Sequence, residues 1–148
     1  MTAKALSDDF ASGDATRVWS AAWAVIRTHD PRLLGPLAPE AGRIARALDG
    51  MELGGALVPN RVAVDEALRR LRHVHLGSGC LCALYPGFDR YDPTREGAAG
   101  HVHPDAPVVD RAAYETRWQA VCAECGAPFT VTEVGGYHYP WWRWVPIP

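Results

Sequence analysis

The sequence predicts an α+β fold, with N-terminal helices in residues 1–79 packed on a small antiparallel sheet in residues 80–148, the whole forming one domain. Three observations carry this. Apolar residues recur at steps of three and four through the first half. From Cys80 onward the texture changes to short runs rich in aromatic, Val and Thr residues between Gly and Pro clusters, which suits strands joined by loops. The four cysteines fall in two close pairs, both in the second half: Cys80 with Cys82, and Cys122 with Cys125.

Ser12-Gly13-Asp14 is a start signal for a helix through Val18, Trp19, Ala22, Trp23, Val25 and Ile26. The spacing places both tryptophans on one face, expected to be core. Asp30-Pro31, a capping residue followed by proline at the first helical position, opens a short segment through Leu33, Leu34 and Leu37. Pro39-Glu40 starts another that runs through Ile44 and Leu48 to Gly50, where glycine can adopt the left-handed conformation that ends helices. Residues 51–59 contain Gly54-Gly55 and Pro59 and read as a turn. Asn60 then caps a helix with an apolar stripe of Val64, Ala67, Leu68 and Leu71, its other faces decorated by Arg61, Arg69, Arg70, Arg72 and His73. It ends near Gly77-Ser78-Gly79.

In the second half the expected strands are residues 80–85, 114–122, 129–134 and 137–144, the last two joined by Gly135-Gly136 as a hairpin. Residues 87–110 are rich in Gly, Pro and Asp and read as an irregular excursion with at most one short strand.

Charge and composition limit the function. The chain has 148 residues, 48% of them apolar and 22% charged, with a formal net charge of −2. These are ordinary globular values. No global positive field exists to gather nucleic acid or anionic lipid. Acidic residues are spread along the chain and suit a basic partner. Lys4 is the only lysine among many arginines, which fits a GC-rich bacterial genome. Residues 1–10 contain two adjacent aspartates and no apolar run, unlike a secretory signal, and no apolar stretch spans a membrane. A cytoplasmic protein is expected.

In a reducing compartment, two close cysteine pairs read as metal ligands. Cys122-Ala123-Glu124-Cys125-Gly126 has the geometry for it. Two thiolates two residues apart turn inward on a tight bend, and the glycine relieves the backbone where the chain reverses. In Cys80-Leu81-Cys82 only one residue intervenes, and a strand would send both sulfurs to one side. A closed Cys₄ set leaves no coordination position for substrate, so a single Zn²⁺ there is structural. Two other readings use the same residues: buried free thiols, and a redox pair at Cys122 and Cys125. The second lacks the helix N-terminus that lowers thiol pKa.

Residues 121–129 resemble the zinc knuckle of zinc-ribbon and treble-clef proteins, in which Cys-x-x-Cys-Gly precedes a strand and a hydrophobic residue. Together with the Trp19-x-x-x-Trp23 helix, Leu53-Gly54-Gly55, Pro59-Asn60 and Cys80-Leu81-Cys82-Ala83-Leu84-Tyr85, they resemble small bacterial zinc-ribbon proteins. Some of these are similar to immunity proteins of polymorphic toxin systems. The resemblance implies a non-enzymatic module that binds another protein, in its specific form a cognate toxin.

The aromatic tail offers Tyr139, Trp142, Arg143 and Trp144 as partner-binding residues, since aromatics with arginine anchor interfaces; the alternative is that these rings cover the sheet. Two further functions are carried. A nucleic-acid-associated zinc ribbon would use a contiguous arginine face around Arg69 and Arg72. A small hydrolase would use residues 89–103, with Asp92, His101 and His103 lining a pocket. His73/His75 and His101/His103 are each spaced like a chelate, with solvated side chains as the plainer reading.

Overall fold

A computed structural model of the chain describes residues 1–135 and 138–148. Its fold is α+β, in two compact units, Met1–Leu81 and Cys82–Pro148.

In the first unit, helices α1 (Ala3–Phe10), α2 (Ala15–Arg27), α3 (Pro31–Leu37), α4 (Ala41–Ala47) and α5 (Arg61–His75) pack together, with α2 against α5 and α1 beside α2 and α3. The α2 and α3 starts follow the predicted logic: Asp14 accepts from the Arg17 N–H and Asp30 from the Arg32 N–H. Helix α1 was not anticipated, although Thr2 caps it and Leu6 and Phe10, four residues apart, are its buried contacts. Asn60 occupies the N-cap position of α5 but does not cap. Its Nδ2 instead donates to the Leu53 carbonyl at 2.8 Å and closes the glycine turn.

Two expectations about side chains are corrected. The core stripe of α2 is Val18, Ala21, Ala22, Val25 and Ile26. Trp19 and Trp23 sit one residue, about 100° of helix, off that stripe. They form an edge-to-face pair at 6.3 Å, with the Arg27 guanidinium 5.0 Å above Trp23, and Trp19 is exposed. Of the α5 arginines, Arg72 is exposed, but Arg61, Arg69 and Arg70 are drawn into contacts and do not form a solvated face. Arg70 is fully buried and donates to the Thr28 carbonyl at 2.6 Å, Arg69 forks onto buried Glu66, and Arg61 donates to the carbonyls of Leu48 and Met51 after α4.

A 3₁₀ turn, Leu81–Gly87, leads from the end of the first unit into the second, which continues with helix α6 (Pro93–Ala98) and five strands: β1 (Val102–Pro104), β2 (Val108–Asp110), β3 (Glu115–Cys122), β4 (Pro128–Val134) and β5 (Trp141–Pro146). The strand expected at residues 80–85 is thus a 3₁₀ turn. With three residues per turn, i and i+3 eclipse, so Leu81 stacks with Leu84 and Cys82 with Tyr85, and all four are buried. Alternation of a strand would have exposed half of them. The excursion at residues 87–110 holds one helix and two strands, both antiparallel to β3. The sheet continues antiparallel through β4 to β5. The last strand is described from Trp141; of the strand expected from residue 137 and its Gly135-Gly136 turn, Gly136 and Tyr137 lie outside the described residues.

Register sorts the sheet into two faces. Trp118, Val131 and Trp144 form one inward row, and Ala120, Phe129 and Pro146 the next. Tyr85 fills the space beneath, its ring centroid 4.4 Å from Trp144, 4.7 Å from Tyr91 and 6.1 Å from Phe129. Trp144 is buried and its indole N–H donates to the Tyr91 carbonyl at 2.8 Å. Trp141, on the same strand, points the other way and is exposed.

Trp144→Ala is therefore expected to cost about 3–5 kcal/mol and Trp141→Ala about 0.5 kcal/mol or less, a contrast read directly by urea denaturation. In the first unit, the Ser7 hydroxyl donates to Glu40 at 2.7 Å and Arg43 also donates to it, which together hold this carboxyl below its ordinary value of 4.5. A lowered carboxyl pKa stabilises the fold above the ordinary value, and the contribution is lost as pH falls through the lowered one. Ser7→Ala should move the Glu40 titration upward, as followed by carboxyl NMR.

Candidate metal centre

The four cysteines predicted as ligands converge. The sulfurs of Cys80, Cys82, Cys122 and Cys125 all lie within 4.8 Å of one another, and those of Cys82 and Cys125 are 3.4 Å apart. All four are free thiols. Such a set can hold a metal ion.

Local structure explains how each sulfur arrives. Cys122 is the last residue of β3 and faces inward, in phase with Trp118 and Ala120. The knuckle after it is closed by three backbone hydrogen bonds: Gly126 N–H to the Cys122 carbonyl, Cys122 N–H to the Ala127 carbonyl, and Ala123 N–H to the His101 carbonyl, each 2.9 Å. Gly126 has φ of +77°, the left-handed conformation that the sequence pattern required of it. Cys125 lies on the exposed side of this turn. Cys82 enters from the 3₁₀ turn, locked there by the buried Tyr85 one turn on, and Cys80 sits just ahead of that turn. Before it, the ring Nε2 of His73 meets the Gly79 carbonyl at 3.0 Å, so this histidine holds the approach to Cys80.

A buried polar network adjoins the knuckle; sequence reasoning names His101 for a hydrolytic loop but does not join it to Tyr85 and Glu96. Glu96 Oε2 accepts from the Tyr85 hydroxyl at 2.8 Å and meets His101 Nδ1 at 2.9 Å. Glu96 is only 5% exposed, so these contacts answer the desolvation of its carboxylate. The signal available was modest: a glutamate in a helix that Asp92-Pro93 starts, five residues before a histidine.

The residues proposed for hydrolysis are occupied separately. Asp92 caps α6 through the Thr94 and Arg95 N–H groups, His101 is bound to Glu96, and His103 is exposed on β1 opposite Val121. Among the four aromatic-tail candidates, Trp144 belongs to the core, which corrects its assignment to a partner surface. Trp142 is half-buried on the inner face, and Arg143 and Tyr139 remain accessible. No helix among the described residues is long and apolar enough to cross a membrane. The chain matches no family model, no curated protein and no solved structure.

Gly126 can be tested without touching a ligand. A Cβ there meets nothing within 4 Å, so Gly126→Ala carries backbone strain alone. It should destabilise the second unit by about 1–2 kcal/mol, and Gly126→Asn by less, since asparagine tolerates positive φ. Urea denaturation of the two variants distinguishes strain from loss of packing.

Proposed function

We propose that this chain is a non-enzymatic protein-binding module, its C-terminal unit stapled by one structural Zn²⁺, which engages an acidic protein surface through the outer face of its sheet. The observation that carries the reading is the four-sulfur cluster at one end of a sheet whose opposite face is accessible.

Zinc suits the donors. Four thiolates at about 2.3 Å from a tetrahedral ion stand about 3.8 Å from one another, and the observed spacing, 3.4 Å for one pair and under 4.8 Å for all, needs little closure. Cys80, Cys82, Cys122 and Cys125 would fill the coordination sphere and leave no position for substrate, so the ion's contribution is to folding.

The outer face supports the binding part. Exposed Arg117 and Arg143 flank buried Thr132 in a row across β3, β4 and β5, next to a row of Gln119, Thr130 and Val145. Trp141 lies on the same face, beside Tyr139 at a centroid separation of 6.1 Å, and the Arg90 guanidinium is 4.0 Å over Tyr139. Arg117 shares its charge with Glu115, whereas Arg143 has no ion-pair partner among the described residues. Exposed aromatic and arginine side chains together are what interface hot spots are made of. Their positive charge asks for carboxylates on the partner, the reverse of the basic partner suggested by the chain's scattered acidic residues. Toxin neutralisation is the specific form implied by the resemblance to immunity proteins. The nucleic-acid alternative asks for a contiguous arginine face around Arg69 and Arg72; Arg72 is exposed, but Arg69 is paired with Glu66 and Arg70 between them is buried, so less supports it.

Purified chain should contain one zinc by elemental analysis. As bait in a lysate of its source cells, it should retain one stoichiometric protein whose binding weakens at high salt. Trp141→Ala combined with Arg143→Glu should weaken that binding more than tenfold with zinc content unchanged, and Arg143→Lys should retain most of it. Capture of nucleic acid with steep salt dependence, or indifference to the charge reversal, would overturn the binding assignment.

A further inference from the structure

We propose that Cys125 and Cys82 form an oxidation-sensitive pair, at which a hydroperoxide closes a disulfide and releases the metal. The inference rests on the reading of the cluster as a zinc centre and assigns it a second property. Three features of the second unit converge on this pair. Cys125 is exposed on the knuckle turn, whereas Cys122 and Cys82 are 2% and 3% exposed, so within this unit a solvent-borne oxidant meets Cys125 first. The Cys82 sulfur, shielded from solvent, is already 3.4 Å from that of Cys125. A disulfide bond of about 2.05 Å thus requires the two to approach by little more than 1 Å. The turn carrying Cys125 lies open to solvent, since nothing comes within 4 Å of the Cβ position of the neighbouring Gly126.

The chemistry balances in two steps. The Cys125 thiolate attacks one oxygen of hydrogen peroxide; an S–O bond forms, the O–O bond breaks, and hydroxide leaves to become water. The product is a sulfenic acid. The Cys82 thiolate then attacks the Cys125 sulfur, forming S–S and breaking S–O, and a second hydroxide departs. Two thiolates lose two electrons in total and the peroxide gains them. Only the sulfurs of Cys80 and Cys122 would then be left to hold the ion, too few to retain it. The new bond joins residues 43 apart in sequence, so a covalent link replaces part of the closure that the ion provided. A dithiol reductant reverses it.

The test uses the full wild-type chain, with zinc content measured first. Hydrogen peroxide is added in modest excess, released metal is followed with a chromogenic chelator, and disulfides are mapped by mass spectrometry after cleavage at Leu81 and Glu124, which separates Cys80 from Cys82 and Cys122 from Cys125. Loss of the one zinc per chain, with a Cys82–Cys125 disulfide and recovery on adding dithiothreitol and zinc, is the expected result. Retained zinc, or release accompanied by a Cys122–Cys125 or Cys80–Cys82 bridge, overturns the pairing and leaves the zinc reading standing. A chain that holds no zinc before peroxide is added ends both, and that outcome is seen at the first step.

Discussion

Closure of backbone segments on one cluster of sulfurs is the constraint on which the second unit depends. Cys82 and Cys125 are 43 residues apart. Bringing the ends of such a loop together costs about 3 kcal/mol from the length-dependent part alone. The network beside the knuckle, Tyr85 to Glu96 to His101, returns about 1 kcal/mol per hydrogen bond, and more where the carboxylate takes part. A unit spanning Cys82–Pro148 also lies below the roughly 70–80 residues at which one apolar core rarely supplies more than a few kcal/mol. A structural zinc, worth on the order of 10 kcal/mol in small domains, exceeds each of these terms. On these magnitudes a metal held as proposed would outweigh the local hydrogen bonds, and the aromatic packing around Tyr85 would decide how the closed chain is arranged.

The sequence was most legible where a local rule has one solution. Asp14 and Asp30 precede their helices and cap them. Cys-x-x-Cys-Gly demanded a left-handed glycine after the second thiol, and Gly126 has it. Legibility failed where two rules competed. Cys80-Leu81-Cys82-Ala83-Leu84-Tyr85 alternates well enough for a strand, yet its apolar residues also stack at i and i+3, and burial of both Leu81/Leu84 and Cys82/Tyr85 favours the tighter helix. Trp19 and Trp23 were assigned to the core because their spacing places them on one helix face. The smaller Val18, Ala22 and Val25 occupy it, because close approach between helices rewards short side chains on the contact stripe. Arg70 gave no sequence sign of burial, since its partner is a backbone carbonyl, Thr28, that composition does not reveal.

The same competition explains the aromatic tail. Trp141-Trp142-Arg143-Trp144 could be read as one adhesive patch, but a strand divides it. Trp144 and Trp142 face the side of Trp118, while Trp141 and Arg143 face the other. The core needs Trp144 because Tyr85, Tyr91 and Phe129 leave a space of indole size with a carbonyl at its far end. What remains for recognition is therefore the complement of the core set, and which residues belong to it depends on register alone.

That dependence joins the metal centre to the proposed binding face. A slip of one residue in β3 would turn Trp118 outward and Arg117 inward, exchanging every residue between the faces. Cys122 ends the same strand, in phase with Trp118 and Ala120, and its sulfur reaches the cluster only in the observed register. A short knuckle thus constrains the phase of a whole strand: two cysteines and the glycine and carbonyl contacts around them hold Cys122 inward, which holds Arg117 and Gln119 outward, and through the pairs Arg117–Thr132 and Thr132–Arg143 sets the outer row across three strands. A zinc ion held there as proposed, with no catalytic position left open, would still bear on function in this way, by fixing which side of a small sheet its tryptophans and arginines occupy.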